Sequence, residues 1–232
     1  MDKRPRALLA PDPRLLLDLF PESLCTKISQ AGLCFVIDDD GTISNSHPMY
    51  IDWLARKLHR PLRPEDNKHY NFSDVHPQAL GMLKVGVFGK PRMHIDLPVV
   101  PGAVEALREI HRKGIPILIL TARPPRSGMV RATYRHKRNH RIPFDIMIFS
   151  PRKKEIIKAI KRISRQVVVV DDDPSVATSI YQLTGVFAIL FGASYNEHIN
   201  RDGLVRVDKK NGNTAWDEVL SIVRRKVMNG RS

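Results

Sequence analysis

Short apolar runs alternate with longer amphipathic segments from residue 33 onward. The runs are rich in Val, Ile and Leu, which is typical of strands that are buried on both faces. The segments between them place apolar residues at helical spacing. We therefore predict an α/β fold, with a parallel sheet and helices on both of its faces. The predicted strands cover residues 33–37, 115–120, 144–149, 167–170 and 186–191, and the predicted helices cover 103–113, 151–163, 176–183 and 216–227.

Residues 44–97 interrupt this alternation directly after the first strand. Residues 49–59 fit an amphipathic helix that prolines then stop, and residues 77–87 fit a second, short helix. We predict a small helical cap that covers the loop after the first strand and contributes substrate contacts. Its aromatic side chains, which we expect to form a small core rather than to stack on a ligand, are Trp53, Tyr70 and Phe72.

The predicted domain organisation is an α/β core in residues 31–43 and 98–232, the cap in 44–97, and an N-terminal segment in 1–30. Prolines and acids interrupt the first 20 residues too often for a signal peptide or a membrane span. We expect a short docking segment or a loose tail there. The two cysteines, at positions 25 and 34, have apolar neighbours and are expected to be reduced thiols of a cytoplasmic protein.

Carboxylates cluster at the ends of two predicted strands. Residues 38–40 are three consecutive aspartates after the first strand, and residues 171–173 are three more after the valine-rich strand 167–170. Adjacent carboxylates repel one another, so their burial together requires a cation or a retained proton. Strand ends at one edge of an open α/β sheet are where such proteins bind ligands, and Mg²⁺ prefers carboxylate oxygens. The pattern predicts a divalent-metal site at this edge.

The charge of the chain is strongly positive and unevenly placed. Its 232 residues carry a net charge of +14, and residues 123–165 alone contain 14 Lys or Arg against two acids, Asp145 and Glu155. A basic surface attracts nucleotides, nucleic acid or anionic membranes. The alternative is a solvated face without a partner, and the charge run leaves both open.

Four motifs in this order resemble those of the haloacid dehalogenase (HAD) superfamily of phosphohydrolases. They are Asp38-x-Asp40-Gly41-Thr42 after the first strand, Thr121 after the second, a helical lysine at 153 or 154, and Asp171-Asp172. In finer detail, Thr-Ala-Arg-Pro at 121–124, Asp-Asp-Asp-Pro at 171–174 and the loop 194–196 are similar to the 5'(3')-deoxyribonucleotidase group and its bacterial relatives. Asp173 departs from the basic residue expected in that group.

The resemblance implies a HAD-like core and a Mg²⁺-dependent phosphomonoesterase that acts through an aspartyl-phosphate. Asp38 would be the nucleophile, and Asp40 would protonate the leaving oxygen and later deprotonate water. Thr121 and Lys154, with Lys153 as second choice, would bind the phosphoryl oxygens. Nucleoside monophosphates would be the favoured substrates, with sugar phosphates as an alternative.

The same resemblance implies a set of metal and phosphate contacts. Mg²⁺ would be held by Asp38, the backbone carbonyl of Asp40 and Asp172, with Asp171 acting through water. The remaining phosphate contacts would come from the backbone amide of Asp39 and from Gly41, Thr42, Ala122 and Arg123.

Two other classes of protein share part of this pattern. Phospho-acceptor receiver domains also combine acids, a Thr and a Lys, but their acids occur in a different order and no second acidic pair follows. A nucleic-acid-binding protein or a 3'-end phosphatase would use the basic stretch 123–165. The favoured partner remains a small phosphorylated molecule, with no membrane partner and no oligomeric state indicated.

Overall fold

Seven parallel strands form one sheet in the computed structural model, which describes residues 6–208 and 214–229. The strands are β1 (Arg6–Leu9), β2 (Leu33–Ile37), β3 (Ile117–Thr121), β4 (Ile146–Phe149), β5 (Gln166–Asp171), β6 (Val186–Phe191) and β7 (Val205–Val207). Their order across the sheet is β1-β4-β3-β2-β5-β6-β7, and each neighbouring pair is parallel. The predicted α/β class with a parallel sheet is confirmed.

Helices cover both faces of this sheet, because its central strands are apolar on both sides. The α-helices are α1 (Glu22–Ala31), α2 (His47–Leu58), α3 (Ala79–Leu83), α4 (Ala103–Arg112), α5 (Ser127–Asn139), α6 (Lys153–Lys161), α7 (Pro174–Ile180) and α8 (Ala215–Asn229). One apolar cluster joins the sheet to α4, α5 and α8, and another joins the opposite face to α1, α6 and α7. All five predicted strands and all four predicted core helices are present, with no end shifted by more than three residues.

The two outermost strands were not predicted. β1 pairs with β4 in parallel, and β7 pairs with β6. Both are three or four residues long and lie at the sheet edges, where few apolar contacts mark a strand in the sequence. Residues 6–9 of the N-terminal segment therefore belong to the sheet, and Leu16, Phe20, Leu24 and Ile28 are buried against one of its faces, so the loose-tail alternative does not hold for the described part. Residues 1–5, which belong to the same predicted segment, lie outside the described residues.

Residues 44–97 form a helical insert with an apolar cluster of its own. It contains α2 and α3, and α3 continues into a π-helical turn at Lys84–Phe88, so both predicted helices are present. The two chain connections lie side by side, because Asn45 N donates to Pro98 O at 2.8 Å. Within the described ranges, no helix is long and apolar enough to cross a membrane.

Trp216 of α8 connects the core to the loop that follows β2. Its side chain is fully buried, and its ring centroid lies 6.4 Å from that of Phe35 and 5.8 Å from that of Phe191. The indole Nε1 donates a hydrogen bond to the carbonyl oxygen of Thr42 at 3.0 Å. One side chain thus packs the core and fixes the backbone beside the aspartates.

We expect Trp216→Phe to lower the free energy of unfolding by about 1–3 kcal/mol, since it leaves a small cavity and an unpaired buried carbonyl. Urea denaturation followed by circular dichroism measures this change. Trp53→Phe, in the half-buried wall of the insert, is the matched control and should cost less. An equal cost for both variants would contradict the bridging role of Trp216.

Candidate active site

The carboxyl ends of three central strands lie side by side because β2 lies between β3 and β5. Asp38 follows β2, Thr121 ends β3 and Asp171 ends β5. Asp38 N donates to Val170 O at 2.9 Å, which continues the ladder one residue past the strand. Residues far apart in sequence are thereby brought to one point, as the sequence predicts.

Three carboxylates lie together at this point. One oxygen from each of Asp38, Asp171 and Asp172 lies within 4.8 Å of the others, and each residue is at most 5% exposed. Lys153 Nζ lies 2.8 Å from Asp38 Oδ1 and 2.8 Å from Asp171 Oδ2. The ammonium group therefore neutralises part of a buried negative cluster.

The preference for Lys154 over Lys153 is corrected by this arrangement. Both residues are in the first turn of α6, but adjacent helical residues point about 100° apart, so only one can face the carboxylates. Lys153 is 5% exposed and faces them, whereas the half-buried Lys154 forms no ion pair with any acid that the structure describes.

Burial and mutual repulsion raise the proton affinity of these acids. Burial raises the pKa of Asp38 well above its usual value, and the neighbouring Asp171 and Asp172 raise it further while Lys153 opposes them. Burial, followed by the charge of Asp171, raises the pKa of Asp172 to about 7. A bound cation would favour the ionised forms of both acids.

The oxygens of the cluster differ in whether they are already used. Asp171 Oδ2 accepts from Lys153, and its Oδ1 accepts from the backbone N of Asp173 at 3.0 Å. Asp172 Oδ2 accepts from the hydroxyl of Tyr195, while Asp172 Oδ1 is buried without a hydrogen-bond partner among the described residues. A free, buried carboxylate oxygen beside two other acids fits a hard cation such as Mg²⁺.

Gly41 allows the loop after β2 to approach this cluster closely. Its φ of +76° is in the left-handed region, and a Cβ at this position would overlap the carboxylate of Asp172. Any other residue would therefore strain the backbone and displace a candidate metal ligand.

Asp40 lies apart from these three acids and pairs with Arg123. Arg123 Nε lies 2.8 Å from Asp40 Oδ2, its Nη2 lies 2.7 Å from Asp40 Oδ1, and the hydroxyl of Tyr50 donates to Asp40 Oδ1 at 3.1 Å. Burial alone would raise the pKa of Asp40, but the charge and hydrogen bonds of Arg123 outweigh it and hold this pKa far below its usual range. The pKa values of Asp38 and Asp40 are thus shifted in opposite directions, although the two residues are close in sequence.

Asp39 points into the protein and supports Arg123 from behind. Its Oδ2 lies 2.9 Å from Arg123 Nη1, and its Oδ1 accepts from Ser44 Oγ at 2.6 Å and from Lys137 Nζ. Arg123 Nη1 also donates to Thr133 Oγ1 at 3.0 Å. All three guanidinium nitrogens thus have protein partners, and the phosphate contact predicted for Arg123 stays a prediction.

The other residues predicted to contact phosphate divide into two groups. Thr121 and Ala122 line the cavity above the carboxylates. Thr42 is fully buried and its carbonyl binds Trp216, so its position supports the loop. Asp39 is likewise fully buried, and its carbonyl oxygen accepts hydrogen bonds from the backbone N of Ile43 and Ser44.

A cavity of about 400 Å³ opens over the acidic groups. Its floor carries Asp38, Asp40 and Asp172, together with Thr121 and Lys153. Its walls come largely from rings of the insert and the loop after β6, which are those of His47, Tyr50, Tyr70, Phe72, Phe88 and Tyr195. Polar groups at the base and aromatic groups on the walls suit a ligand with a charged end and a flat apolar end.

The expectation for the aromatic residues of the insert holds in part. Trp53 and Phe72 pack in the insert's own cluster, as predicted. Phe72 also faces the cavity, and Tyr70 is 42% exposed and meets Tyr195 with ring centroids 5.7 Å apart. Tyr70 therefore belongs to the cavity wall rather than to a core.

Sequence reasoning missed Lys137, although α5 contains a signal for it. The buried face of this helix includes Met129 and Thr133, and Lys137 follows Thr133 by four residues on the same face. A charged residue on a buried helical face requires a buried partner, and six aspartates at strand ends were available to supply one.

Comparisons with known proteins identify a family for this chain. Residues 33–228 match the family model described as 5' nucleotidase, deoxy (pyrimidine), cytosolic type C protein (NT5C). A protein of Bordetella pertussis provisionally named a 5'(3')-deoxyribonucleotidase is 31% identical over 94 residues, which are 39% of this chain and 50% of that protein. Its Bordetella bronchiseptica counterpart is 30% identical over the same length. The chain thus spans about half the length of the curated relatives it matches.

Solved structures share the fold. A haloacid dehalogenase-like hydrolase of Burkholderia xenovorans has a TM-score of 0.53 at 18% identity, covering 83% of this chain and 97% of that one. A HAD-superfamily hydrolase of Geobacter sulfurreducens has a TM-score of 0.50 at 14% identity, with 83% and 97% coverage. The HAD-like architecture that the motifs resemble is thereby confirmed.

We expect Lys153→Met to lower the free energy of unfolding by about 3–5 kcal/mol at pH 7, since it leaves buried carboxylates without their counter-charge. Lys154→Met is the matched control and should stay within about 0.5 kcal/mol of the wild type. Urea denaturation at pH 7 measures both. A larger loss for Lys154→Met than for Lys153→Met would show that Lys154, and not Lys153, neutralises the acids.

Proposed function

Because the chain belongs to the NT5C family of 5'-nucleotidases, we propose that it is a Mg²⁺-dependent phosphomonoesterase that acts on nucleoside monophosphates through an aspartyl-phosphate. The observation that carries this proposal is the position of Asp38. It lies between a buried lysine and a carboxylate with an unused oxygen, at the base of an aromatic cavity.

The metal would be held by Asp38, by Asp172 through its unpaired Oδ1, and by the backbone carbonyl of Asp40. Asp171 would contribute through water, since Lys153 and the Asp173 amide already use its oxygens. When bound, Mg²⁺ supplies positive charge that offsets the repulsion between the substrate phosphate and these acids.

Asp38 acts as the nucleophile in the first step. Its carboxylate oxygen forms a bond to phosphorus while the bond from phosphorus to the leaving oxygen breaks, and that oxygen takes a proton from Asp40. Lys153 Nζ and Thr121 Oγ1 bind the phosphoryl oxygens, where most of the charge of the transition state is located. In the second step Asp40 removes a proton from water, the water oxygen bonds to phosphorus, and phosphate leaves Asp38.

Arg123 positions Asp40 for both proton transfers. The bidentate ion pair fixes the carboxylate and favours its ionised form, which the second step requires. In the first step the negative charge of the bound phosphate raises the proton affinity of Asp40 and opposes Arg123. The same acid can therefore serve in turn as proton donor and proton acceptor.

The cavity walls favour a nucleotide over a sugar phosphate. A nucleobase gains stacking and apolar contacts from rings such as those of Tyr50, Phe72 and Phe88, whereas a sugar offers hydroxyl groups that these rings cannot satisfy. The distance between the floor and the walls would then set which monophosphates are accepted.

Asp38→Asn should abolish phosphate release from nucleoside monophosphates while the fold is retained, since an amide cannot accept the phosphoryl group. Phosphate release is measured on a panel of 5'- and 3'-nucleoside monophosphates and sugar phosphates, with Mg²⁺ and with EDTA. Asp96→Asn, at an exposed position, is the control and should keep wild-type activity. Release that persists in Asp38→Asn or in EDTA would refute the mechanism.

Arg123→Lys should lower kcat more for substrates with poor leaving groups than for p-nitrophenyl phosphate. Protonation by a positioned acid contributes about 10²–10⁴-fold when the leaving oxygen is basic and little when it is not. Steady-state kinetics on both substrate types, with circular dichroism to verify folding, measures the effect. Arg112→Lys, at an exposed position at the end of α4, is the control. An equal loss on both substrate types would assign Arg123 a structural role only.

A further inference from the structure

The outer face of α5 carries arginines that the proposed chemistry does not use. Arg131, Arg135 and Arg138 are exposed, and their spacing of four and then three residues places them on one side of the helix. The helix contains no acidic residue, and none of these three side chains forms an ion pair with an acid that the structure describes. The face therefore presents uncompensated positive charge.

Some basic residues elsewhere on the surface are neutralised by acids. Lys27 pairs with Asp145, and Arg224 pairs with Glu109. Arg131, Arg135 and Arg138 have no such partner among the acids that the structure describes, so their charge remains available to a partner molecule.

The basic face continues to the mouth of the cavity. The segment before α4 packs along α5, with Pro91 against Gly128, and it carries Lys90 and Arg92 at exposed positions. The segment contains one acid, Asp96. It precedes Leu97, whose carbonyl oxygen accepts a hydrogen bond from His136 in the last turn of α5. Lys84 precedes this segment in the chain, and its exposed side chain lines the cavity.

The length of this surface suits a polymer rather than a single phosphate. Arg131 and Arg138 lie seven residues apart, which is about 10 Å along the helix axis and is enough for about two consecutive phosphates of a single strand. A membrane surface would meet the same charges, but it could not place a phosphate on the floor of a cavity with aromatic walls. The continuity of charge and cavity therefore favours nucleic acid.

We propose that the outer face of α5 binds the phosphate backbone of a single-stranded nucleic acid whose phosphorylated end enters the cavity. This inference rests on the proposed phosphatase chemistry and extends its substrate class from mononucleotides to strand ends. The terminal nucleotide occupies the aromatic cavity, its phosphate reaches Asp38, and the next phosphates follow Arg131, Arg135 and Arg138.

The double variant Arg131→Gln/Arg135→Gln tests this surface. With a phosphorylated oligothymidylate ten nucleotides long, we expect kcat/KM to fall about 10-fold, while turnover of thymidine monophosphate is unchanged. The slope of log affinity against log salt should become shallower by about 1.4, since each lost phosphate contact on a single strand accounts for about 0.7.

The matched control is Lys158→Gln/Arg162→Gln, in the last turn of α6 and at the residue that caps it, which removes two exposed charges at the same spacing on the opposite face of the sheet. An equal fall in this control, an unchanged kcat/KM for the oligonucleotide in the α5 variant, or loss of binding to phosphatidylserine vesicles without any loss of oligonucleotide binding would overturn the proposal.

Binding of the same oligonucleotide, measured by fluorescence anisotropy in EDTA, separates this inference from the proposed function. If neither thymidine monophosphate nor the phosphorylated oligonucleotide is hydrolysed but the α5 variant still binds the oligonucleotide more weakly than the α6 control does, the surface stands and the phosphatase assignment fails. If hydrolysis occurs and both variants bind the oligonucleotide equally, the surface fails alone.

Discussion

Burial of aspartates at the ends of parallel strands is the constraint on which this structure depends. Carboxylates at the tips of β2 and β5 are removed from water, and each must be compensated because an isolated buried charge is very costly. Lys153, Arg123 and Lys137 provide the compensation, and all three are 5% exposed or less. Helices α5 and α6, which carry Lys137 and Lys153, and the loop before α5, which carries Arg123, are consequently fixed relative to the sheet. The same contacts therefore organise the fold and the site.

The compensation is divided into two layers that separate the properties of neighbouring acids. Lys153 shares its charge among acids that crowd one another, and the pKa of Asp38 remains raised. Arg123 is committed to Asp40 through two hydrogen bonds, and the pKa of that acid is lowered. Asp39 lies behind Arg123 and holds its guanidinium group in place. Two aspartates separated by one residue can therefore perform different tasks in the proposed mechanism.

The insert completes the site without supplying its charges. Tyr50 reaches Asp40 from α2, and the rings around it form the cavity walls, while the acids and the principal cations come from the core. The part of the molecule that determines ligand shape is thus distinct from the part that determines charge. In our proposal the arginines on the outside of α5, which compensate no buried acid, extend this arrangement beyond the cavity.

The sequence by itself determined the α/β class, the central strands and the placement of acids at strand ends, because long apolar runs and consecutive aspartates are local signals. It also indicated the family whose model matches the chain. It could not choose between Lys153 and Lys154, because helix rotation relative to the sheet is set by packing. The partnership of Arg123 with Asp40 spans 83 positions and leaves no periodic trace. The edge strands β1 and β7 were decided by their neighbours, since strands so short are stabilised only by a ladder that the rest of the fold provides.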